Sequence, residues 1–552
     1  MRRWVSGVLV VMLIGVAAWS GSGTAGKSVG PSAPHFVTPP DEVKAAAQAR
    51  GIDLGQRAHG RPHQVNPQQS VGTKPLSAEQ KVLALYLRFP EDDGPPSRVT
   101  YQHVPRQLLA DLLFGNAYNP YTHPDFARYR EWNGIPAPTD RTLANYYREI
   151  SRGRVTVTGE VVEVQMPRGY SAYRIGQRFG AVQNDYGDYT MAMLLEDAIR
   201  AADPYVDFSR YAVNGEVPNV FLIHEGTGAE WNLDPRLIWS HKWEYADAWY
   251  YYEWAKTGTA PEYDPHRGIW VDGVKVNAYA IEPEVGGDLT GYLGAVTGPY
   301  PPQVGIYAHE FAHVLGLPDL YDYDYDSEGV GGYSLMAGGS WARFPDAAPY
   351  SGNSPVHPDA WSKAFWGLAD VHVVTEGQQT FSLKPAAAGG GVVKLVVPGS
   401  GGTEYFLVEN RQPVGFDKGL LRYGDVRGLA IYHVDENVLA RNFWRPNEAQ
   451  NWFQNRMQQV EADPQTGETH YAVSLLQADN RWDLEKNVNR GDAGDLYRTG
   501  QALTPTSTPN SGSYYVLQKG NGAVPNFTGA FVRDIVEHPD GTITFTAGFL
   551  SR

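Results

Sequence analysis

Two histidines four residues apart carry the clearest chemistry in this sequence. His309 and His313 lie in an apolar, helix-like stretch, and this separation puts both imidazoles on one helical face, where they can bind one metal ion. Glu310 is poorly placed as a ligand but well placed to hold a water as general base in metal-assisted hydrolysis. Gly316 can take a positive φ and end the helix, after which Asp319 arrives as a plausible third ligand. These residues predict a catalytic zinc site with one open position.

A short HExxH pattern also occurs in buried amphipathic helices whose histidines simply hydrogen-bond to neighbours. The longer pattern HExxHxxGxxD requires in addition a helix end and a third donor at a fixed distance. Met336 follows in a polar, glycine-rich turn, which matches the Met-turn found after such motifs. Asp322 and His357 stay open as alternative third ligands, ranked behind Asp319.

Seven motifs carry a resemblance that extends from about Lys81 almost to the C-terminus. They are HEFAHVLGLPDLYD, GGYSLMAGGSW, PVHPDAWSKAFWGL, NYYREISRG, IWSHKW, EYFLVENRQ and GDAGD. In these motifs the chain resembles the immune-inhibitor-A-type (thuringilysin-like) secreted metalloproteases, a bacterial branch of the metzincins. The resemblance implies that His309, His313 and Asp319 bind zinc, that Glu310 is the base and that Met336 underlies the site.

The third ligand departs from the commonest metzincin pattern, in which it is histidine. A carboxylate donates more charge to zinc than an imidazole does, so the bound water should be a somewhat weaker acid. Gly338 stands two residues after Met336, where some metzincins have a tyrosine ligand, so that position supplies no such ligand here.

Length, charge and cysteine content exclude several classes of protein. A chain of 552 residues is too long for one core and predicts two or three domains. The net charge of −15 argues against nucleic acid as a partner and against anionic membrane. The absence of cysteine excludes a thiol nucleophile, a cysteine-ligated structural zinc and a cysteine switch.

The N-terminal part indicates export. Residues 1–25 combine two arginines, a short apolar run and small residues, as a signal peptide does, and the run is too short to span a membrane comfortably. Residues 26–78 are rich in Pro, Gly, Gln and Ala, which predicts a propeptide or flexible stalk. We expect a secreted, extracellular bacterial protein without stable membrane insertion once the signal is removed.

The order of elements before and around residues 309–319 is that of an α+β, metzincin-like protease domain over residues 79–370, with a mixed twisted sheet and a zinc helix. The apolar run at 81–89 predicts a central strand, and 191–202 predicts an amphipathic helix. One further strand is expected over 275–281. In such a fold a strand beside the cleft binds extended peptide through its main chain, and Asn277, Ala278 and Tyr279 are the candidates.

Two further features concern calcium and the C-terminal half. Asp322, Asp324 and Asp326 alternate with tyrosines, so their oxygens could converge on a structural Ca²⁺. The loop does not fit an EF-hand. The default interpretation is a solvated acidic loop. Aspartates 479, 483, 492 and 495 could do the same. From residue 371 onward, short β-rich runs separated by Gly, Pro and Asn predict an antiparallel β-sandwich domain over 371–552.

The leading hypothesis is a secreted zinc endopeptidase that hydrolyses peptide bonds of extracellular proteins with a zinc-bound water and Glu310 as general base. Its partners would be protein or peptide substrates. The alternative is a non-catalytic, matrix- or glycan-binding protein on a protease-like scaffold, for which an intact Glu310 has no purpose.

Overall fold

The structure is a computed structural model that describes residues 30–32, 34–52, 54, 73–96, 101–173, 190–449, 466–515 and 527–550. The predicted signal peptide at 1–25 and part of the predicted propeptide lie outside the described residues. Within the described ranges, no helix is both long enough and apolar enough to cross a membrane.

Eight α-helices occur in the described residues. They are α1 Asp41–Ala49, α2 Arg106–Phe114, α3 Leu143–Ile150, α4 Met191–Ala202, α5 Tyr245–Thr257, α6 Val304–Val314, α7 Ala360–Phe365 and α8 Glu436–Asn442. The helix predicted at 191–202 is present with those bounds, and the two histidines lie on α6.

Nineteen strands occur in the same residues. They are β1 His35–Phe36, β2 Glu79–Arg88, β3 Glu131–Trp132, β4 Ile135–Pro136, β5 Thr156–Gln165, β6 Glu216–Val217, β7 Val220–Thr227, β8 His241–Glu244, β9 Ile269–Val271, β10 Val274–Val276, β11 Ala278–Val285, β12 Val371–Val374, β13 Gln378–Leu383, β14 Val392–Val396, β15 Glu404–Arg411, β16 Gly428–Asp435, β17 Val473–Leu475, β18 Ala530–Glu537 and β19 Ile543–Phe549.

The largest sheet has six strands in the order β1-β8-β11-β7-β2-β5. Strands β5, β2, β7 and β11 are parallel, β8 is antiparallel to β11, and β1 is antiparallel to β8. The apolar run of β2 is buried on both faces, as expected for a central parallel strand. Ala84 and Tyr86 belong to the core shared with α2, α3 and α6, whereas Leu83 and Leu85 belong to the core shared with α4 and α5. The fold is therefore a mixed sheet with helices on both faces.

The strand predicted over residues 275–281 is broken in two at Asn277. β10 joins the small sheet β6-β10-β9, and β11 joins the large one. The Asn277 side chain caps this break, since its Oδ1 accepts from Ala246 N at 3.0 Å and its Nδ2 donates to Glu244 at 3.2 Å.

The proposal that Asn277, Ala278 and Tyr279 bind substrate through their main chain stays a prediction, and the strand pairing argues against it. β8 pairs with β11 from Ala278 to Ile281, and β7 pairs with β11 from Ala280 onward on the other side. Ala278 and Tyr279 are therefore already paired with β8 along one side of β11. The next strand outward is β8.

The C-terminal half contains a five-stranded sheet, β12-β14-β15-β16-β17, and a three-stranded sheet, β13-β19-β18. The pairs are antiparallel except that β12 is parallel to β14, which departs from the predicted all-antiparallel arrangement. Leu395 and Phe406 share a core with Phe545 of the smaller sheet. On the opposite face, Tyr405 and Leu407 belong to the core that contains α6. The larger sheet is therefore packed on both faces.

Candidate metal centre

Helix α6 presents its two histidines to one point, and the chain then reverses to add a carboxylate. The α6 residues from Val304 to His313 are all buried, which anchors the helix. Gly316 takes φ +99°, as predicted, and its N–H donates to His313 O at 2.9 Å. This turn brings Asp319 back towards the helix.

Three ligand atoms converge. The Nε2 atoms of His309 and His313 are 3.2 Å apart, and Asp319 Oδ1 lies 3.2 Å from the first and 3.1 Å from the second. Donors at about 2.0–2.1 Å from a tetrahedral zinc lie about 3.4 Å from one another. The observed triangle therefore fits a zinc ion, and it uses the three residues predicted from the sequence.

The outer nitrogens of the rings fix the tautomers. His309 Nδ1 lies 2.8 Å from Leu335 O, and His313 Nδ1 lies 2.7 Å from Leu317 O. A carbonyl only accepts, so each Nδ1 must donate its proton, which leaves both Nε2 lone pairs free. Asp319 Oδ1 has no hydrogen-bond donor among the described residues. Three acceptor atoms so close together are stabilised by a cation between them, and this supports the fit of a metal.

Glu310 is buried beside the triangle. Both of its carboxylate oxygens lack a hydrogen-bond partner among the described residues. Burial, followed by the negative charges of Glu282 and Asp319, raises the pKa of Glu310 well above its ordinary value. An unpartnered carboxyl with a raised pKa suits a group that accepts and returns a proton.

Met336 lies in the apolar core together with Phe311 of α6 and is fully buried. Its turn is tied to both sides of the centre: its carbonyl accepts from Leu320 N at 2.8 Å, and its N–H donates to Ser334 Oγ at 3.1 Å. The preceding carbonyl, of Leu335, is the one that orients His309.

The alternative third ligands are engaged elsewhere. Asp322 Oδ2 accepts from the N–H and hydroxyl of Ser327 at 3.0 and 2.8 Å. His357 Nε2 lies 2.8 Å from Glu149 Oε1. Asp322, Asp324 and Asp326 are brought within 4.8 Å of one another, and calcium binding there stays a prediction.

Sequence reasoning missed two residues at the centre, Tyr323 and His35. The Tyr323 hydroxyl donates to Asp319 Oδ2, and His35 Nδ1 lies 3.2 Å from that hydroxyl and 3.6 Å from Asp319 Oδ2. The His35 ring also stacks on His313, with centroids 4.8 Å apart. No signal in the sequence marks His35, because it lies in a Pro-rich stretch far from the zinc motif.

His35 reaches the centre because β1 extends the large sheet beyond β8. Phe36 is paired with His241 and His35 with Lys242 in antiparallel register. Tryptophan side chains hold the flanking main chain: Trp239 Nε1 donates to Val37 O at 2.8 Å, and Trp341 Nε1 donates to Thr38 O.

Helix α1 continues this docking. Val43 and Ala47 are buried in a cluster with Trp239, Trp341 and Ile306 of α6. Lys44 forms a buried ion pair with Glu328.

The mixed fold and the His-His-Asp donor set define a metal-binding domain of the metallopeptidase class. The chain belongs to the immune inhibitor A peptidase M6 family, whose catalytic-domain profile matches residues 70–367, just over half of the chain.

Two curated relatives share this region. Immune inhibitor A of Bacillus thuringiensis subsp. alesti is 29% identical over 315 residues, covering 52% of this chain and 40% of the relative. Pre-pro-metalloprotease PrtV of Vibrio cholerae serotype O1 (strain M66-2) is 24% identical over 308 residues, covering 52% of this chain and 29% of the relative. The chain thus spans less than half the length of these relatives.

Proposed function

We propose that this protein is a secreted, zinc-dependent endopeptidase that hydrolyses peptide bonds of extracellular proteins. The observation that carries the proposal is the buried triangle of His309, His313 and Asp319 with the unpartnered carboxyl of Glu310 beside it. Membership of a peptidase family and the metalloprotease name of one relative support the same reaction.

The three ligand residues would hold the metal, which when bound supplies a Lewis acid and lowers the pKa of a water. Glu310 takes a proton from the attacking water and returns it to the leaving amine. The carbonyls of Leu335 and Leu317 keep the two imidazoles in the orientation and tautomer that bind metal.

We further propose that the substrate lies as an extended strand along β8. β8 is the strand of the large sheet on which the two-residue strand β1 docks, antiparallel and next to the triangle. Adding a strand to a sheet edge is a common way to bind peptide through main-chain hydrogen bonds. Substrate and β1 would then compete for the same edge.

This competition leads to a proposal for latency. The segment 34–52, within the predicted propeptide, places His35 against Asp319 and is held by α1 and by the two tryptophans. While it is docked, the edge of β8 is occupied. Removal of the segment would open the site.

The decisive experiment compares wild type with Glu310→Gln on an unfolded general protein substrate, with the blocking segment removed from both proteins. We expect zinc content to be unchanged and the rate to fall by about 10²–10⁴-fold, the usual contribution of a general base. The matched control is Glu196→Gln on α4, whose carboxyl is half-exposed and far along the sequence from the zinc motif. Equal rates for wild type and Glu310→Gln would reject the assignment of the base.

The alternative of a non-catalytic matrix- or glycan-binding scaffold is not favoured. Such a protein gains nothing from burying the Glu310 carboxyl without a partner, which costs folding free energy. Zinc-loaded, processed protein that cleaves no substrate would bring that alternative forward.

We also propose that the architecture is the metzincin one followed by a β-sandwich. The sheet order with an antiparallel β8, the helix-borne histidines and the Met336 turn support the first part. The core shared by Leu395, Phe406 and Phe545 of two facing sheets supports the second.

A further inference from the structure

Three carboxylates come together in the long connection between β17 and β18. Asp479, Asp492 and Asp495 each place a carboxylate oxygen within 4.8 Å of the other two. We propose that this group is a structural Ca²⁺ site that holds the connection against the turn containing Met336.

The strongest observation is an unpartnered oxygen on Asp495. The residue is only 1% exposed, and its Oδ1 has no hydrogen-bond partner among the described residues. Its Oδ2, in contrast, accepts from the Tyr333 hydroxyl at 2.7 Å and from Asp492 N at 2.9 Å. Because Oδ2 accepts two hydrogen bonds while Oδ1 accepts none inside an acidic group, Oδ1 is available to bind a cation.

Basic side chains do not neutralise this group. Arg481 approaches Asp479 at 3.4 Å and Asp492 at 3.9 Å, but its side chain is 67% exposed and therefore largely solvated. No lysine or arginine in the described part of the chain pairs with Asp495. The negative charge at the buried end of the group thus lacks a counter-charge from the protein.

The main chain approaches the group closely at Gly494. A Cβ on residue 494 would lie 2.6 Å from Asp479 Oδ2 and 3.1 Å from Asp492 Oδ1, so a larger residue would have to displace the Asp479 carboxylate from the group. Gly494 N also donates to Asp492 Oδ1 at 2.7 Å, which orients that carboxylate.

The donor chemistry selects the ion. All three ligands are carboxylates, and such hard oxygen donors suit Ca²⁺ or Mg²⁺ rather than zinc, which prefers nitrogen and sulfur. Ca²⁺ tolerates the irregular geometry of a loop and adds carbonyls and waters, whereas Mg²⁺ requires a nearly ideal octahedron. We therefore assign Ca²⁺.

The site would act on the metal centre through Tyr333. The Tyr333 hydroxyl donates to Asp495 and also to Asp492 O at 3.0 Å, and Gly332 N donates to Arg490 O at 2.6 Å. These contacts lie a few residues before Met336. A cation at Asp495 would thus fix the connection on which this turn rests.

The acidic loop at 322–326 does not share these features. Asp322 is already held by Ser327, while Asp324 is half-buried and Asp326 is exposed. It serves as a comparison site rather than a second proposal.

The test uses zinc-loaded, full-length Glu310→Gln protein, so that self-cleavage does not interfere, and Tb³⁺ as the probe. Tb³⁺ luminescence excited through tyrosine reports binding near tyrosine side chains, among them Tyr333 beside Asp495. Ca²⁺ should displace the probe, whereas Mg²⁺ should not at the same concentration. The Kd for Ca²⁺ should fall in the range of extracellular sites, about 10⁻⁴–10⁻³ M.

Asp479→Asn is the primary variant, because this partly exposed side chain can lose its charge without disturbing the Tyr333 contact. It should weaken Ca²⁺ binding about tenfold or more and abolish the rise in melting temperature that Ca²⁺ produces. Asp483→Asn is the matched control, since Asp483 is close in sequence but outside the group. Absence of Ca²⁺ binding in the unsubstituted background, an equal loss with Asp483→Asn, or a loss with Asp324→Asn but not with Asp479→Asn would each overturn the proposal.

Discussion

Replacing His35 by alanine should raise the basal activity of the uncleaved protein. The substitution removes a ring that stacks on His313 at 4.8 Å and packs on Trp444 at 4.6 Å, and a hydrogen bond to the Tyr323 hydroxyl at 3.2 Å. It changes nothing in an enzyme from which the segment has been cut away. Any effect therefore reports on docking of the segment alone.

The size of the effect follows from these contacts. Two ring contacts at about 0.5–1.5 kcal/mol each and one hydrogen bond at about 0.5–1.5 kcal/mol sum to about 1.5–4.5 kcal/mol. At 1.4 kcal/mol per factor of ten, the docking equilibrium weakens by about 10- to 1000-fold. The observed activity is limited by that of the cleaved enzyme.

The assay measures initial cleavage of an internally quenched peptide by protein shown on gels to be uncleaved. A second measurement, the rate at which a chelator extracts zinc, reports access to the centre without relying on activity. Gln48→Ala is the matched control, because Gln48 is exposed on α1 of the same segment. If His35→Ala and Gln48→Ala give the same activity and the same extraction rate, the segment does not block the site through His35.

Three further predictions concern stability. Met336→Ala should lower the free energy of unfolding by about 2–5 kcal/mol, the cost of a core cavity, and should weaken zinc retention. Denaturant unfolding and metal analysis measure these two effects. Unchanged stability would contradict the packing role of Met336. Arg411→Ala should cost about 3–5 kcal/mol, because the buried guanidinium pairs with Asp417 at 2.7 Å and Glu409 at 3.2 Å; a loss below 1 kcal/mol would refute this. Burial raises the pKa of Glu230 to about 7, so the folded state favours the neutral acid. The free energy of unfolding should therefore fall by about 3 kcal/mol as the pH rises from about 4.5 to 7. Glu230→Gln should flatten this fall in unfolding curves at pH 5 to 8, and an unchanged slope would exclude Glu230 as its source.

The residues around the zinc motif could be predicted from sequence because their constraints are local. The spacing of His309 and His313 fixes their common face, and Gly316 must end the helix for Asp319 to return. The long apolar run of β2 likewise predicts a buried central strand. In each case a few neighbouring residues determine the outcome.

The failures are non-local. The run over 275–281 looks like one strand, but it is divided at Asn277, which forms hydrogen bonds with residues 244–246. The position of β8 outside β11, and of His35 outside β8, depends on pairings between distant segments. Periodicity within a segment cannot reveal which segment will lie beside it.

The larger C-terminal sheet has a consequence for how the protein can be divided. The family profile ends at residue 367, yet Tyr405, Leu407 and Tyr432 lie in the same apolar core as Phe311 and Met336. A fragment cut at that boundary would expose this face to water and leave the zinc helix without part of its support. The catalytic unit that folds is therefore longer than the region that sequence similarity delimits, and fragments made for crystallography or screening should retain the sheet.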